Sequence, residues 1–214
     1  MAEAKPHTAA SISAHILSDI LSPLLTPTYA MVAAMWLTRL RYLPLSSRLW
    51  GTLGISAITA LIPVVFIAIL MKRGKVSDTS ISDPNQRTAP YCATILCYLM
   101  AGAYMFALHA PMWLVGFFGG AALTAAVALL ITHWWKISAH MGGIGGLSAL
   151  IYWLGYNGFI DRSPLSWISL TAALAGLLAW ARLFLRHHTL MQTLAGVSLS
   201  FAIVYTTVSV FSHL

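Results

Sequence analysis

Two arginines and two histidines are concentrated in one short segment of an otherwise apolar chain. The segment ARLFLRHHTLMQTLAG, residues 181–196, holds Arg182, Arg186, His187 and His188, although only 8% of the chain is charged. A guanidinium offers a planar pair of N–H donors that matches a phosphoryl group, and a histidine can attack phosphorus to form a covalent intermediate. The pattern therefore indicates either a basic loop that orients the chain in a membrane or a site that handles a phosphate anion.

Two further segments carry side chains suited to the same chemistry. In WWKISAH, His140 could give a proton to a leaving-group oxygen because imidazole titrates near neutrality, while Ser138 and Lys136 could bind phosphoryl oxygens. In QRTAP, Arg87 stands close to Pro90. Each of these side chains, taken alone, is more simply explained as an interfacial or loop residue. A site is predicted only if the three segments converge.

The composition predicts which elements must position these residues. The chain has 214 residues, 59% of them hydrophobic and 8% charged, whereas soluble domains carry about 25% charged residues. This predicts an all-α polytopic transmembrane helix bundle of six to seven spans in a single domain, since one span uses about 20 residues. The spans are expected near residues 16–38, 50–71, 91–108, 112–133, 142–160, 164–181 and 190–211.

The ends of the chain and its two cysteines add little chemistry. Residues 1–15 are predicted to be a polar tail or an interfacial segment, without the apolar core of a cleavable signal, and residues 16–214 the transmembrane domain. Pro23 and Pro27 predict a kink in the first span. Cys92 and Cys97 lie in an apolar run and are expected to pack without forming a disulfide or a zinc site.

Counting spans places the three segments on one face. Each span carries the chain across the bilayer, so the loops after the second, fourth and sixth spans share a side. These loops hold most of the reactive side chains of the three segments. Basic loop residues usually indicate the cytoplasmic side of a membrane protein, but the basic residues here could instead serve the site. The sequence therefore does not predict which side of the membrane this face is on.

Together the segments resemble the signature of the type 2 phosphatidic acid phosphatase superfamily, the integral-membrane lipid phosphate phosphatases. The third part of that signature is an arginine, five residues, a histidine, three residues and an aspartate; here it reads Arg182, His188 and Gln192. The second part is Ser-Gly-His, and here Ser138 and His140 flank an alanine. The order of the parts and the spacing of the third agree with the family.

The resemblance implies a role for each matched residue. The first part of the family signature, a lysine followed by an Arg-Pro pair, is represented only by an arginine with a proline three residues later. The resemblance implies that His188 is the nucleophile and His140 the general acid. It implies that the phosphoryl oxygens are bound by Arg87, Arg182 and Ser138.

The departures from the family pattern concern one carboxylate and one lysine. Gln192 stands where the family has the aspartate that orients the nucleophile, and an amide can accept the ring N–H but carries no charge. Asp78 or Asp83 could supply a carboxylate instead, and Lys75 or Lys136 could replace the missing lysine.

Three function classes follow from these residues. The favoured one is a membrane phosphatase acting on a lipid phosphate or diphosphate without a metal or other cofactor, with polyprenyl diphosphate first and phosphatidate second as substrate. A carrier or lipid-binding protein that uses the same basic pocket without turnover is the alternative, and a haem or metal protein is the third. The expected partners are the lipid substrate and membrane lipids of the cell membrane. Nucleic acid is not expected despite the net charge of +7, because there is no soluble basic domain; the oligomeric state is left open.

Overall fold

The described part of the chain is entirely helical. The computed structural model describes residues 9–77, 83, 86–161 and 163–214, and no strand occurs among them. This confirms the all-α prediction. The α-helices, in chain order, are α1 Ala9–Ile20, α2 Thr26–Leu37, α3 Leu45–Ser56, α4 Ile62–Lys72, α5 Thr88–Ala107, α6 Met112–Thr132, α7 Ala139–Tyr156, α8 Pro164–Phe184 and α9 Leu190–Phe211.

Five helical stretches are long and apolar enough to cross a membrane. One is formed by α3 and α4, which continue into each other through the π-helical turn Ala57–Leu61 and make a 28-residue helix, Leu45–Lys72. The others are α5, α6, α8 and α9. By length and composition the described residues therefore supply five candidate spans, fewer than the six to seven expected from the sequence.

The first expected span is wrong as a continuous element. Residues 16–38 contribute to two helices of 12 residues each, α1 and α2, with a break over residues 21–25. Pro23 lies in the break, and Pro27 occupies the first turn of α2. Because proline lacks an N–H and disfavours a helical residue before it, two prolines four residues apart end one helix and start the next instead of bending one. Residues 9–15, expected to belong to a polar tail or an interfacial segment, are part of α1.

The centre of the bundle is α9, which packs most extensively on α7 and on α6. Glycines allow this packing to be close. A Cβ at Gly196 of α9 would lie 2.6 Å from the carbonyl oxygen of Ser138, and one at Gly145 of α7 would lie 2.6 Å from the carbonyl oxygen of Val197. The first two turns of α9 are therefore held against the first two turns of α7.

The loops collect at two ends of the bundle. At one end, Arg41, in the 3₁₀ turn Arg39–Tyr42 after α2, forms a 2.8 Å ion pair with Asp161 in the loop after α7. A pocket at this end is bounded by Arg39, Pro111 and Phe159. The starts of α5, α7 and α9 lie at the other end, where the reactive segments meet.

Candidate active site

Side chains from all three reactive segments surround one cavity of about 430 Å³. Arg87 precedes α5, Ser138 and His140 stand at the start of α7, and Arg182 and His188 flank the connection between α8 and α9. All five line the cavity. The convergence expected from counting spans is therefore present in the structure.

The turn between α8 and α9 brings Arg182 and His188 together. After α8 ends at Phe184, Arg186 adopts a left-handed conformation with φ of 54°. The Arg186 N–H donates to the Leu183 carbonyl at 2.9 Å, and the His187 N–H donates to the Arg182 carbonyl at 3.1 Å. These two bonds make a Schellman motif, which reverses the chain within a few residues. The bend that the sequence required is thus a specific helix-ending turn.

The first turn of α9 fixes the tautomer of His188. Gln192 Oε1 accepts the Thr189 backbone N–H at 3.1 Å as part of a capping box, and the same oxygen lies 3.2 Å from His188 Nδ1. The backbone N–H is always a donor, so the shared atom must be the amide oxygen and Nδ1 must carry the proton. The lone pair of His188 is therefore on Nε2, and the amide oxygen of Gln192 accepts the ring N–H.

The surroundings of His188 keep its ring neutral. The side chain is 9% exposed. Burial lowers the pKa of His188 to about 3, with a further contribution from the positive charge of Arg182, while the hydrogen bond to Gln192 acts in the opposite direction. Lys136 and Arg87 also lower this pKa through their charges. A neutral ring with a free Nε2 lone pair is the form in which histidine is a nucleophile.

Ser138 joins the start of α7 to the start of α9. Its side chain caps α7 by accepting the Met141 N–H at 3.4 Å, and its own N–H donates to the Gln192 carbonyl at 3.4 Å. A hydroxyl that accepts one bond still has its O–H to donate. Ser138 is 1% exposed and lines the cavity, so that donor is available to an oxygen bound there.

His140, in the first turn of α7, lines the same cavity. Its ring is within hydrogen-bonding reach of the Ser18 backbone carbonyl in α1. The charges of Arg182 and His188 act on this ring. The two imidazoles therefore share one electrostatic environment, as a nucleophile and an acid acting on one phosphoryl group would need.

The two arginines make the cavity a strong anion site. Arg87 is 6% exposed and Arg182 is 5% exposed. Arg182 Nε has no hydrogen-bond partner among the described residues. A buried guanidinium group needs partners for its charge and its N–H donors, and for Arg182 a phosphate would supply both.

The cavity continues from the polar cluster into an apolar region. Its walls there come from α4, α6 and α9 and include Val64, Ile67, Phe117 and Val204. The hydroxyl of Thr124 in α6 lies in the same wall and has no partner among the described residues. The cavity thus has one end suited to an anion and another suited to a hydrocarbon chain.

Some residues predicted for the site do not line the cavity. Lys75 is exposed in the turn after α4, and Asp83 is partly buried outside the cavity wall. Lys136 also lies outside the wall, although its charge reaches His188. Asp78 is outside the described residues. The structure therefore does not bring Asp83 or Lys75 into the cavity wall beside His188 and the two arginines.

Sequence reasoning missed the contribution of α1. Ser18 and Asp19 both line the cavity, but they had been assigned to the beginning of a long membrane span. A signal was available, because Asp19 is one of only five acidic residues in the chain and stands in an otherwise apolar stretch.

Among the described residues, no group of three or more His, Cys, Asp or Glu side chains is arranged to hold a metal ion. Comparison of the chain with protein-family models, with curated proteins and with solved structures gave no match. The functional argument therefore rests on the geometry of the cavity.

Proposed function

We propose that this protein is an integral-membrane phosphatase that hydrolyses a lipid phosphate or diphosphate through a phosphohistidine intermediate, as a divergent member of the type 2 phosphatidic acid phosphatase superfamily. The observation that carries the proposal is the single cavity shared by Arg87, His140, Arg182 and His188. The tautomer of His188, with Nε2 free, supports it further.

The chemistry divides into two displacements at phosphorus. In the first, His188 Nε2 forms a bond to phosphorus while the bond to the leaving oxygen breaks, and that oxygen takes a proton from His140. The negative charge of the bound phosphate favours the protonated form of His140 that this step needs. In the second, water attacks the phosphohistidine, His140 takes a proton from the water, and inorganic phosphate leaves with His188 restored.

Charge stabilisation in this scheme comes from the protein. The guanidinium groups of Arg87 and Arg182 and the hydroxyl of Ser138 are the donors for the equatorial phosphoryl oxygens. No metal or other cofactor takes part in the proposed steps.

The apolar end of the cavity supports a lipid as the substrate. A phosphate held by the arginines would leave its hydrocarbon portion beside Val64, Phe117 and Val204. Polyprenyl diphosphate is the first choice of substrate and phosphatidate the second.

Under this proposal the protein crosses the cell membrane six times. Five are the helical stretches of membrane length, and α7 is the sixth. Although α7 is short and rich in glycine, it starts at the cavity end and is followed by Phe159, which lines the pocket at the other end.

A second candidate function is a lipid-phosphate binding or carrier protein without turnover. The observation that favours it is Gln192, because an uncharged partner stabilises a developing imidazolium less than a carboxylate would. Such a protein would use the same arginines to hold the phosphate.

The test is phosphate release by the purified protein in detergent from polyprenyl diphosphate and phosphatidate, with and without EDTA. We expect release that resists EDTA and falls to background in His188→Ala and His140→Ala. His187→Ala and His133→Ala are matched controls that should retain activity, since neither side chain lines the cavity. The phosphorylated histidine should be trapped on rapid acid-free quenching with labelled substrate.

Each contrary result has a distinct meaning. Turnover that survives in His188→Ala would contradict the nucleophile assignment, and turnover lost in His187→Ala alone would transfer that role to the neighbouring residue. Release abolished by EDTA would contradict metal independence. Absence of release from every lipid, with phosphate binding retained, would favour the carrier function.

A further inference from the structure

The N-terminal helix α1 forms part of the wall of the cavity. It packs along α8, the helix that carries Arg182, and its last turn brings Ser18 and Asp19 to the cavity. Ser18 is buried, whereas Asp19 is exposed. A helix outside the central bundle therefore reaches the same space as the arginines and histidines.

The last turn of α1 has a backbone carbonyl close to the ring of His140. The Leu21 N–H bonds to the Leu17 carbonyl and the Ser22 N–H bonds to the Asp19 carbonyl, so neither takes the Ser18 carbonyl. Terminal carbonyls of a helix need partners from outside the helix, and the ring of His140 lies within reach of this one. The position of the last turn of α1 is thereby tied to the site.

The negative charge of Asp19, the residue after Ser18, acts on the buried Arg182. Arg182 and Arg87 repel each other across the cavity, and Asp19 is a carboxylate whose charge acts on Arg182 in the favourable sense. In the described part of the chain no carboxylate forms an ion pair with Arg182 within 4 Å. The interaction therefore acts across the cavity wall and leaves the guanidinium donors available to a ligand.

We propose that Asp19 is a positioning residue for Arg182, which makes α1 a functional part of the site. The proposal rests on the phosphatase function described above. Asp19 offsets the repulsion between the two arginines in the empty site and holds Arg182 where it meets the transferring phosphoryl group. Position 192 is a glutamine and carries no charge. Asp19 supplies one negative charge from α1, and this charge acts on Arg182 instead of on His188.

The predicted signature is an opposite movement of binding and turnover in Asp19→Asn. Loss of the carboxylate makes the site more positive, so KM should fall by about two- to fivefold, the size expected for one partly exposed charge pair. With Arg182 less well placed, kcat should fall by roughly tenfold. Asp19→Glu should restore both values towards those of the wild type.

Asp161→Asn is the matched control. It removes the same charge with the same substitution, but at the opposite end of the bundle, where Asp161 pairs with Arg41. We expect kcat and KM of this variant to stay within about twofold of wild type, because exposed ion pairs contribute little and the site is distant.

A loss of folded protein gives a different pattern, since fewer active molecules lower kcat without changing KM. A lower kcat at constant KM, together with a lower Tm, would therefore overturn the positioning role, and so would unchanged kcat and KM. If Asp19→Asn does not yield folded protein, Asp19→Ser is a second variant without a carboxylate and carries the same expectation.

Binding of inorganic phosphate, measured by calorimetry at low ionic strength, separates this inference from the proposed enzyme function. Asp19→Asn should bind phosphate about two- to fivefold more tightly than the wild type whether or not the protein turns over. Tighter binding in a protein without turnover would contradict the phosphatase function and keep the electrostatic role of Asp19. Normal turnover with unchanged phosphate affinity and kinetics in the variant would contradict the role of Asp19 alone.

Discussion

At the scale of single residues, the bond between His188 and Gln192 determines what the site can do. The oxygen of Gln192 serves two donors, the Thr189 N–H and the His188 ring. An amide satisfies both geometrically, but it does not gain energy when the ring acquires positive charge. Gln192 thus orients the ring of His188, the proposed nucleophile, without the charge stabilisation that an aspartate at this position would add.

Gln192→Glu should increase turnover. Glutamate has the same length, so it can keep both hydrogen bonds while adding a charge, and a charged hydrogen bond contributes about 1 kcal/mol more than a neutral one. We expect kcat to rise by about fivefold, measured on the lipid phosphate that the wild-type protein hydrolyses. Gln192→Leu, which removes both bonds at similar volume, should lower kcat. Equal loss in the Glu and Leu variants would show that the charge of the partner is not used.

The lowered pKa of His188 predicts how stability depends on pH. Its folded-state pKa of about 3 lies below the unfolded value near 6.5. Between these values the unfolded chain binds the proton and the folded chain does not, so the contribution of this group is complete above about pH 6.5 and is lost as the pH falls towards 3. The apparent Tm of wild type should therefore fall more steeply over this window than that of His188→Gln. Parallel curves for the two proteins would contradict a buried neutral ring.

At the scale of elements, the proposed active site depends on how α8 ends and α9 begins. The Schellman motif and the capping box are separated only by His188. Arg182 and His188, six residues apart, would point in different directions on one continuous helix. The left-handed Arg186 makes their approach possible, although a residue with a Cβ adopts that conformation at a cost.

Arg186→Gly should stabilise the protein without reducing activity. Glycine adopts a positive φ without steric strain, so the free energy of unfolding should rise by about 1 kcal/mol. Arg186 is exposed and does not line the cavity, so turnover should remain within about twofold of wild type. Thermal unfolding with Arg186→Ala as control tests the cause, since alanine removes the guanidinium but keeps the Cβ. Equal shifts in both variants would show that charge, not backbone conformation, was responsible.

Apolar run length predicted the long helices well and the N-terminal region poorly. The last expected span, residues 190–211, agrees with α9, because a polar turn and a capping threonine mark its start. The region of α1 and α2 is also apolar enough to be read as one span. Two prolines divide this region into two helices. The direction of α1 is then set by its packing on α8, a helix far away in the sequence, so the local sequence could not predict it.

At the scale of the whole molecule, the number of membrane crossings between the reactive segments explains why their convergence could be predicted from the sequence. In the proposed six-crossing topology, an even number of crossings separates the segments of Arg87, His140 and His188, which brings them to one end of the bundle. The prediction required only the number of crossings between these segments, which the wrong first span does not change. The number of crossings does not predict where individual side chains lie. Lys75 is at the expected end of the bundle but is exposed. Asp19 lines the cavity, although it was predicted to belong to the first membrane span.

The proposed crossing by α7 is the step on which this topology depends. Trp134 and Asn157 flank that helix, and both are exposed. In a background with Cys92 and Cys97 replaced by serine, cysteines introduced at these two positions should react with a membrane-impermeant maleimide from opposite sides of sealed vesicles. A cysteine at Lys75 should label from the same side as the one at Trp134, because an even number of crossings separates them. Labelling of positions 134 and 157 from the same side would remove α7 as a crossing and leave five spans. The reactive segments would still share one end of the bundle, but that end could no longer be assigned by counting.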